Sequence, residues 1–230
     1  MCNGSIMDKL ISFSLPLMVS GILQLAFNAV DIIVVGRFSG SQALAAVGST
    51  TALINVFTNL FIGISLGANV LAARFYAAGK DREMSETVHT SITLALISGI
   101  MMAVIGVLLA KWALEIMGTP DDVIGQSALY MRIYFMGMPF FMLYNYGAIG
   151  DTKRPLIFLI ISGIANAALN MILVILFHMG VAGVAIGTII SQLISCVLVL
   201  TCLYRSEGSY QLRFSKLKIN GAYMEQIFQV

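Results

Sequence analysis

The stretch TVHTSITLALISGIMMAVIGVLLA, residues 87–110, decides the fold class of this chain. It contains no Asp, Glu, Lys or Arg. It also exceeds the roughly 20 apolar residues that a helix needs to cross the hydrocarbon core of a bilayer. A segment in lipid must satisfy its own backbone hydrogen bonds, and a helix does so. The stretch therefore predicts a transmembrane helix.

Five further stretches of the same kind lie on both sides of it. They cover residues 10–35, 44–73, 123–148, 155–177 and 181–204. None alternates polar and apolar residues as a membrane-spanning β-strand does. The whole chain is 59% hydrophobic and 10% charged, whereas a soluble domain carries about 25% charged residues. We therefore expect an all-α membrane protein in which residues 1–204 form a six-helix transmembrane bundle.

The connections between these stretches carry an asymmetric positive charge. If the N-terminus is cytoplasmic, the inner segments hold ten of the 13 lysines and arginines, and the outer loops hold Arg37 and Lys111. Basic residues concentrate on the cytoplasmic side of membrane proteins. We therefore expect a multi-pass plasma-membrane protein with both ends of the six-helix block in the cytoplasm. The net charge of +2 does not indicate a nucleic-acid partner.

The last part of the sequence predicts a second half. Residues 205–220 are polar and fit a cytoplasmic linker, and residues 221–230 begin an apolar segment that is too short to span. Six helices, a linker and the start of a seventh helix form the first half of a transporter built from two parallel repeats. We expect a missing C-terminal lobe and the lipid bilayer as partners.

Asp31 is the acidic residue that falls inside a span. An ionisable residue at the centre of a membrane helix costs about 2.5–3.5 kcal/mol, so its presence needs a reason. Gln24, Asn28 and Asp31 are spaced at i, i+4 and i+7 and share one helical face. This polar stripe is expected to face the protein interior or a water-filled cavity.

The later spans add neutral oxygen atoms. Asn166 and Asn170 are one turn apart in the fifth span, and Thr188 and Gln192 are one turn apart in the sixth. A carboxylate among neutral oxygens suits a small hard cation such as Na+. A desolvated carboxyl can instead carry a proton, because burial disfavours its charged form. The alternative is that the amides form interhelical hydrogen bonds and that Asp31 either snorkels outward or pairs with Arg37.

Other residues in the spans carry weaker signals. Asn55 and Asn59 share a face of the second span and are candidates for lining the same cavity. Pro16 and Pro139 lie inside the first and fourth spans, where each is expected to kink the helix and to act as a hinge. His89 lies near the end of a span, where we expect an interfacial histidine.

Small residues in the spans have a structural interpretation. Gly183 and Gly187 are four residues apart, a spacing that permits close approach of two membrane helices.

The sequence carries no sign of an enzyme. The spans lack paired carboxylates, HExxH and GxSxG, and the loops lack GxxxxGK[ST]. The chain is therefore expected to use no cofactor, and any work it does must draw on a gradient of Na+ or H+.

Four segments in the right order are similar to one family. They are QLAFNAVDIIVVGRFSGSQALAAVGS at 24–49, GISLGANVLAARFYAAGKD at 63–81, GDTKRP at 150–155 and HMGVAGVAIGTIISQ at 178–192. They resemble the multidrug and toxic compound extrusion (MATE) transporters. The resemblance implies the N-terminal lobe of a twelve-helix antiporter. Such transporters export drugs or other cationic or amphipathic small molecules in exchange for Na+ or H+.

The resemblance also implies a cation site in this lobe. The first-helix aspartate of the family matches Asp31, and the fifth-helix asparagine matches Asn166. A fifth-helix position that is acidic in some members matches Asn170, and a sixth-helix threonine matches Thr188. The chain departs from the family after residues 144–148, where the fourth helix runs almost directly into residue 150 and is about one turn shorter.

Two other functions remain as alternatives. A lipid-linked saccharide flippase of related architecture would need a basic cavity, and the spans offer only Arg132. The second alternative is a truncated membrane fragment that transports nothing. A second six-helix half encoded after residue 230 would favour a transporter over a fragment.

Overall fold

The computed structural model describes residues 6–148, 153–206, 211–213, 215 and 217–229. These residues form helices joined by short connections, with no β-strand among them. In chain order the helices are α1 (Ile6–Phe38), α2 (Gly40–Ala77), α3 (Asp81–Ile116), α4 (Asp121–Met136), α5 (Met138–Gly147), α6 (Lys153–Met171), α7 (Gly180–Arg205) and α8 (Gly221–Gln229). The all-α prediction is confirmed.

Five helical stretches in the described part of the chain are long and apolar enough to cross a membrane. They are Ser14–Phe38, Gly40–Ala77, Asp81–Ile116, Arg154–Leu176 and Gly180–Arg205. Each overlaps one of the predicted spans. Large apolar side chains on these helices are exposed, including Leu108 and Leu176 at 71% each. Lipid tails are as apolar as these side chains, so such a surface needs no polar cover.

The fourth span differs from its prediction as one helix over residues 123–148. It is built from two consecutive helices, α4 with 16 residues and α5 with 10, that meet at Gly137. Pro139 follows at the start of α5 and has no N–H to continue the helical hydrogen bonds. A Cβ on Gly137 would lie 2.8 Å from both Gln192 Oε1 and Ile189 Cγ1 on α7, so the absence of a side chain lets α7 pack closely against this junction.

The fifth span also departs from a regular helix at its end. After α6 the chain makes one π-helical turn, Ile172–Leu176, in which the Phe177 N–H donates to the Ile172 carbonyl at 3.1 Å. His178 then adopts a left-handed conformation with φ of 54°. The turn ends the span one residue short of the predicted boundary.

The core lies where α3, α4, α5 and α7 meet. α3 packs against α4 and α5, and α7 packs against α5 and α6. Phe135, Met138, Met142 and Tyr146 are fully buried there. The ring of Phe135 lies directly over Gly106 of α3 in the space a side chain would fill. The two halves of the fourth span are thus held by packing on α3.

The chain after α7 folds back onto the bundle. Leu212 is fully buried, and its N–H donates to the Leu203 carbonyl at 3.1 Å. α8 packs on α2, with Ile227 against Gly67 and Tyr223 edge-on to Phe75 at 5.8 Å between ring centroids. Of the expected linker, residues 207–210, 214 and 216 lie outside the described residues, as do residue 230 and residues 149–152 of the shortened connection. The division into lobe, linker and next helix stays a prediction.

Candidate functional site

Asp31 lies two turns before the end of α1 and is buried, with 8% of its surface exposed. Its Oδ1 accepts a hydrogen bond from Asn170 Nδ2 on α6. Arg37 is exposed, and within the described part of the chain no ion pair joins it to Asp31. The partner of the carboxylate is therefore an amide, and the alternative pairing with Arg37 is not seen.

A chain of hydrogen bonds continues from Asp31 across two more helices. Asn170 Nδ2 also donates to Asn166 Oδ1 at 3.3 Å, and Asn166 Nδ2 donates to Thr188 Oγ1 of α7 at 3.5 Å. Asn166 and Asn170 are 5% and 0% exposed. The four residues expected to share one cation site, from α1, α6 and α7, thus lie in one polar row, and that they bind a cation stays a prediction.

Glycines permit this row by letting the three helices approach. Phe27 of α1 places its ring in the space that a side chain at Gly163 of α6 would fill. Gly187 of α7 faces Asn170 Oδ1 in the same way. That oxygen is buried and has no hydrogen-bond partner. Gly187, which was predicted from its spacing to let two helices pack closely, therefore also leaves space for Asn170, the residue that bonds to Asp31.

A cavity of about 360 Å³ opens beside Asp31. This volume falls within the range of small-molecule sites, about 300–1,000 Å³. All the residues predicted from the sequence to line a cavity are among its lining: Gln24, Asn28, Asn55, Asn59 and Gln192. Asp31, Asn166 and Thr188 line it too, whereas Asn170 lies behind Asp31.

Aromatic side chains of the cavity were not predicted from the sequence. Tyr130 and Tyr134 of α4 line it, with their ring centroids 6.2 Å apart, and Phe141 of α5 continues the same wall. Their i, i+4 spacing within a span is the signal that could have indicated a cavity face. Among the described lining residues Asp31 alone carries a formal charge. Aromatic faces and one carboxylate together favour a cation.

The two predicted hinge prolines occupy different settings. Pro16 is buried inside α1, which stays helical on both sides of it, and its carbonyl accepts a hydrogen bond from Ser20 Oγ at 2.8 Å. Pro139 lies at the junction of α4 and α5. A hinge motion at either proline stays a prediction.

The donor atoms around Asp31 fit a hard cation. Besides its carboxylate they are the Asn166 amide oxygen and the Thr188 hydroxyl, which line the same cavity. Asn170 presents its amide nitrogen to Asp31 and turns its oxygen toward Gly187. The described residues contain no group of three His, Cys, Asp or Glu side chains that could hold a metal ion. Oxygen ligands of this kind suit Na+ or a proton on the carboxyl.

A bundle of membrane-length helices around a polar, aromatic-walled cavity defines a class: one lobe of a membrane transporter. The family model MatE matches residues 16–176, well over half of the chain. The chain belongs to this family, the MATE transporters. Its relatives are transporters, so the chain is not an enzyme.

Two curated relatives of the chain come from bacteria. The probable multidrug resistance protein YoeA of Bacillus subtilis is 34% identical over 89% of this chain and 46% of its own length. The multidrug export protein MepA of Staphylococcus haemolyticus is 27% identical over 99% of this chain and 52% of its own length. The chain therefore spans about half the length of the curated relatives it matches.

Solved structures show the same fold. A MATE crystal structure in the bent conformation superposes with a TM-score of 0.91 at 21% identity, covering 99% of this chain and 52% of that one. An inward-facing multidrug resistance MATE transporter gives 0.82 at 20% identity, covering 89% and 48%. At these identities the likeness concerns the fold alone, and it places the described helices in one lobe.

Proposed function

We propose that the complete protein is a cation-coupled antiporter that exports drugs or other cationic or amphipathic small molecules across the plasma membrane. The observation that carries the proposal is the buried Asp31 carboxylate, bonded to Asn170 at the wall of a cavity of drug-sized volume. A carboxylate inside a membrane helix costs free energy, so its presence there indicates a functional role.

The single charge supplies a reason for exchange. A coupling ion, Na+ or H+, and a cationic substrate both gain from the same carboxylate, because the described lining of the cavity offers no second charge. When the ion neutralises Asp31, the attraction for a cationic substrate falls and release is favoured. When the substrate occupies the cavity, it favours loss of the ion, since binding couplings are reciprocal.

A bound ion would also connect three helices of the lobe. An ion held by Asp31, Asn166 and Thr188 would draw α1, α6 and α7 together, because its ligands come from all three. We propose that α1 bends near Pro16 in response and narrows the cavity. Pro16 is suited to this, since a proline removes one backbone hydrogen bond from the helix.

The relatives support drug export by the complete protein. One is described as a probable multidrug resistance protein and another as a multidrug export protein. Because this chain covers about half of each, we expect a second lobe to complete the substrate site. The distribution of lysine and arginine supports both ends of this lobe in the cytoplasm.

The experiment is dye export by the full-length protein in proteoliposomes, with an imposed Na+ or H+ gradient. We expect Asp31→Asn to abolish gradient-dependent export, because the amide keeps the shape of the side chain and loses its charge. The matched control is Asp121→Asn, the same change at an exposed residue outside the cavity, which should export normally. Undiminished export by Asp31→Asn at equal expression would refute the mechanism.

The alternatives are less well supported. A lipid-linked saccharide flippase would need cationic side chains to hold pyrophosphate, and the described cavity lining contains no Lys or Arg. Arg132 is exposed on α4 and does not reach it. If the chain is a non-transporting fragment, the protein that contains this lobe should export no dye. The same proteoliposome assay measures this.

A further inference from the structure

The segment that follows α7 is fastened to one face of α3. We call residues 211–220 the linker segment, of which 211–213, 215 and 217–220 are described. Glu86, His89 and Thr90 of α3 are spaced at i, i+3 and i+4 and therefore share a face. All three bond to the linker segment, so this face is a docking surface within the chain.

The contacts of Glu86 and Thr90 are ordinary hydrogen bonds. Asn220 Nδ2 donates to Glu86 Oε2 at 2.8 Å, and the Asn220 N–H donates to Thr90 Oγ1 at 3.3 Å. Thr90 Oγ1 in turn donates to the Lys218 carbonyl at 3.5 Å. These bonds hold the end of the linker segment where α8 begins.

His89 makes the contact that depends on protonation. It is 4% exposed, and its Nδ1 lies 2.6 Å from the Ser85 carbonyl, while the Arg213 N–H donates to its Nε2 at 3.1 Å. A carbonyl only accepts, so Nδ1 must carry a proton. A backbone N–H only donates, so Nε2 must not. The observed contacts are therefore those of a neutral imidazole with both nitrogens satisfied.

A cavity of about 730 Å³ lies beside this contact, and His89 is one of its lining residues. Arg82 and Glu86 of α3 and Lys218 of the linker segment are its charged lining residues among those described. Tyr223 of α8 lies in the field of Glu86, Glu83 and Arg82. Within the described residues α2, α4 and α5 contribute nothing to this lining.

Two of the three charged lining residues of the cavity form an ion pair. Arg82 Nε bonds to Glu86 Oε1 at 3.3 Å, and that arginine is 89% exposed. The Arg213 side chain is turned to Gln211 Oε1 at 3.1 Å rather than to the imidazole. The hydrogen-bond partners of the imidazole are therefore the Ser85 carbonyl and the Arg213 N–H.

We propose that His89 is a pH-sensitive latch that fastens the linker segment to α3 when neutral and releases it when protonated. An imidazolium carries an N–H on both nitrogens, so Nε2 can no longer accept from the Arg213 N–H. The latched state binds one proton fewer than the released state, and acidification therefore shifts the population toward release. Histidine is the side chain whose charge changes in the physiological pH range.

Release would act on the connection beyond the linker segment. That segment leads into α8, which holds to α2 through Ile227 and Gly67. Once the His89 contact opens, the bonds of Glu86 and Thr90 are the hydrogen bonds among the described residues that still join the linker segment to α3. The latch does not depend on Asp31 or on the proposed transport cycle.

The test is hydrogen–deuterium exchange by mass spectrometry on the full-length protein in nanodiscs. Exchange is measured at about pH 8 and about pH 5.5, on either side of the histidine range, and corrected for the intrinsic rate. We expect peptides covering residues 211–220 to lose about tenfold in protection at the lower pH, the effect of one hydrogen bond and one donor left unpaired. Peptides from residues 92–110 should not change.

Two variants assign the effect. His89→Gln carries no proton at either pH, so its linker segment should show no pH step, whether the amide oxygen reaches Arg213 or not. Glu86→Gln keeps an acceptor for Asn220 and should retain the step. A wild-type linker without the step, a step that persists in His89→Gln, or a step lost in Glu86→Gln would each overturn the latch. Loss of protection that spreads through residues 92–110 would mean unfolding of α3 and would overturn it as well.

Discussion

Gly187→Ala should damage both stability and export, because it places a methyl group where Asn170 Oδ1 now lies. The new Cβ would also lie 3.3 Å from Asn170 Cγ and 3.6 Å from its N. Asn170 is fully buried, so its side chain cannot yield without moving α6 away from α7 or breaking its bond to Asp31. Overpacking of this kind costs about 1–3 kcal/mol. A hydrogen bond to a charged group contributes about 1.5–3 kcal/mol.

The two costs overlap, since one displacement causes both, and we expect a net loss of about 3 kcal/mol. The matched control is Gly183→Ala, one turn earlier on the same helix. The three atoms nearest its Cβ would be Met179 Cβ at 3.1 Å and the C and Cβ of Leu173 at 3.2 Å, none of which belongs to Asn170. Both variants gain the same helix propensity from alanine. They differ in whether the polar row is disturbed.

The assay is thermal unfolding of the purified full-length protein, followed by gradient-driven dye export in proteoliposomes. Gly187→Ala should unfold at a lower temperature than the wild type and lose coupled export. Gly183→Ala should also unfold at a lower temperature than the wild type but keep coupled export. If Gly187→Ala exported like the wild type, Asn170 would not be needed to hold Asp31. If both variants lost export equally, the effect would be one of packing and the reasoning about Asn170 would fail.

The remaining predictions concern packing and weak polar contacts. Gly106→Ala should destabilise the bundle by about 1–3 kcal/mol because its Cβ would overlap the buried ring of Phe135. The control Gly125→Ala has open space around its Cβ and should gain up to about 1 kcal/mol from helix propensity. Reversible unfolding in detergent compares the two variants. Ser127→Ala removes the 2.9 Å contact between its Oγ and Ser49 Oγ and should cost only about 0.6 kcal/mol, the usual value for an interhelical hydrogen bond in a membrane. A loss of several kcal/mol would contradict that estimate, and dye export by this variant should be unchanged.

The membrane fold and the Asp31 face were predictable because both rest on local spacing. Apolar length alone locates the spans, and the i, i+4, i+7 spacing of Gln24, Asn28 and Asp31 places them on one face whatever the neighbouring helices do. The break between α4 and α5 at Gly137 could be predicted only in part from the sequence. Pro139 indicated a kink, but the need for glycine comes from the approach of α7.

The contacts that remained hidden join residues far apart in the sequence. His89 looked like an interfacial histidine, yet its Nε2 accepts from Arg213, 124 residues later. Tyr130 and Tyr134 face the cavity because of the rotation of α4, which depends on how Phe135 packs over Gly106. Neither a rotation nor a contact of this range is contained in a local pattern.

Packing and chemistry turn out to be inseparable at the glycines of α7. The spacing of Gly183 and Gly187 alone indicates close helix packing, and the structure shows that packing at Gly183, against Leu173. At Gly187 the same absence of a side chain accommodates an amide oxygen instead, and that amide holds the buried carboxylate. A membrane interior offers no water to satisfy a polar group, so polar side chains must be seated by the helices themselves. A small-residue motif in a transporter lobe should therefore be examined for what polar group it admits as well as for which helix it packs.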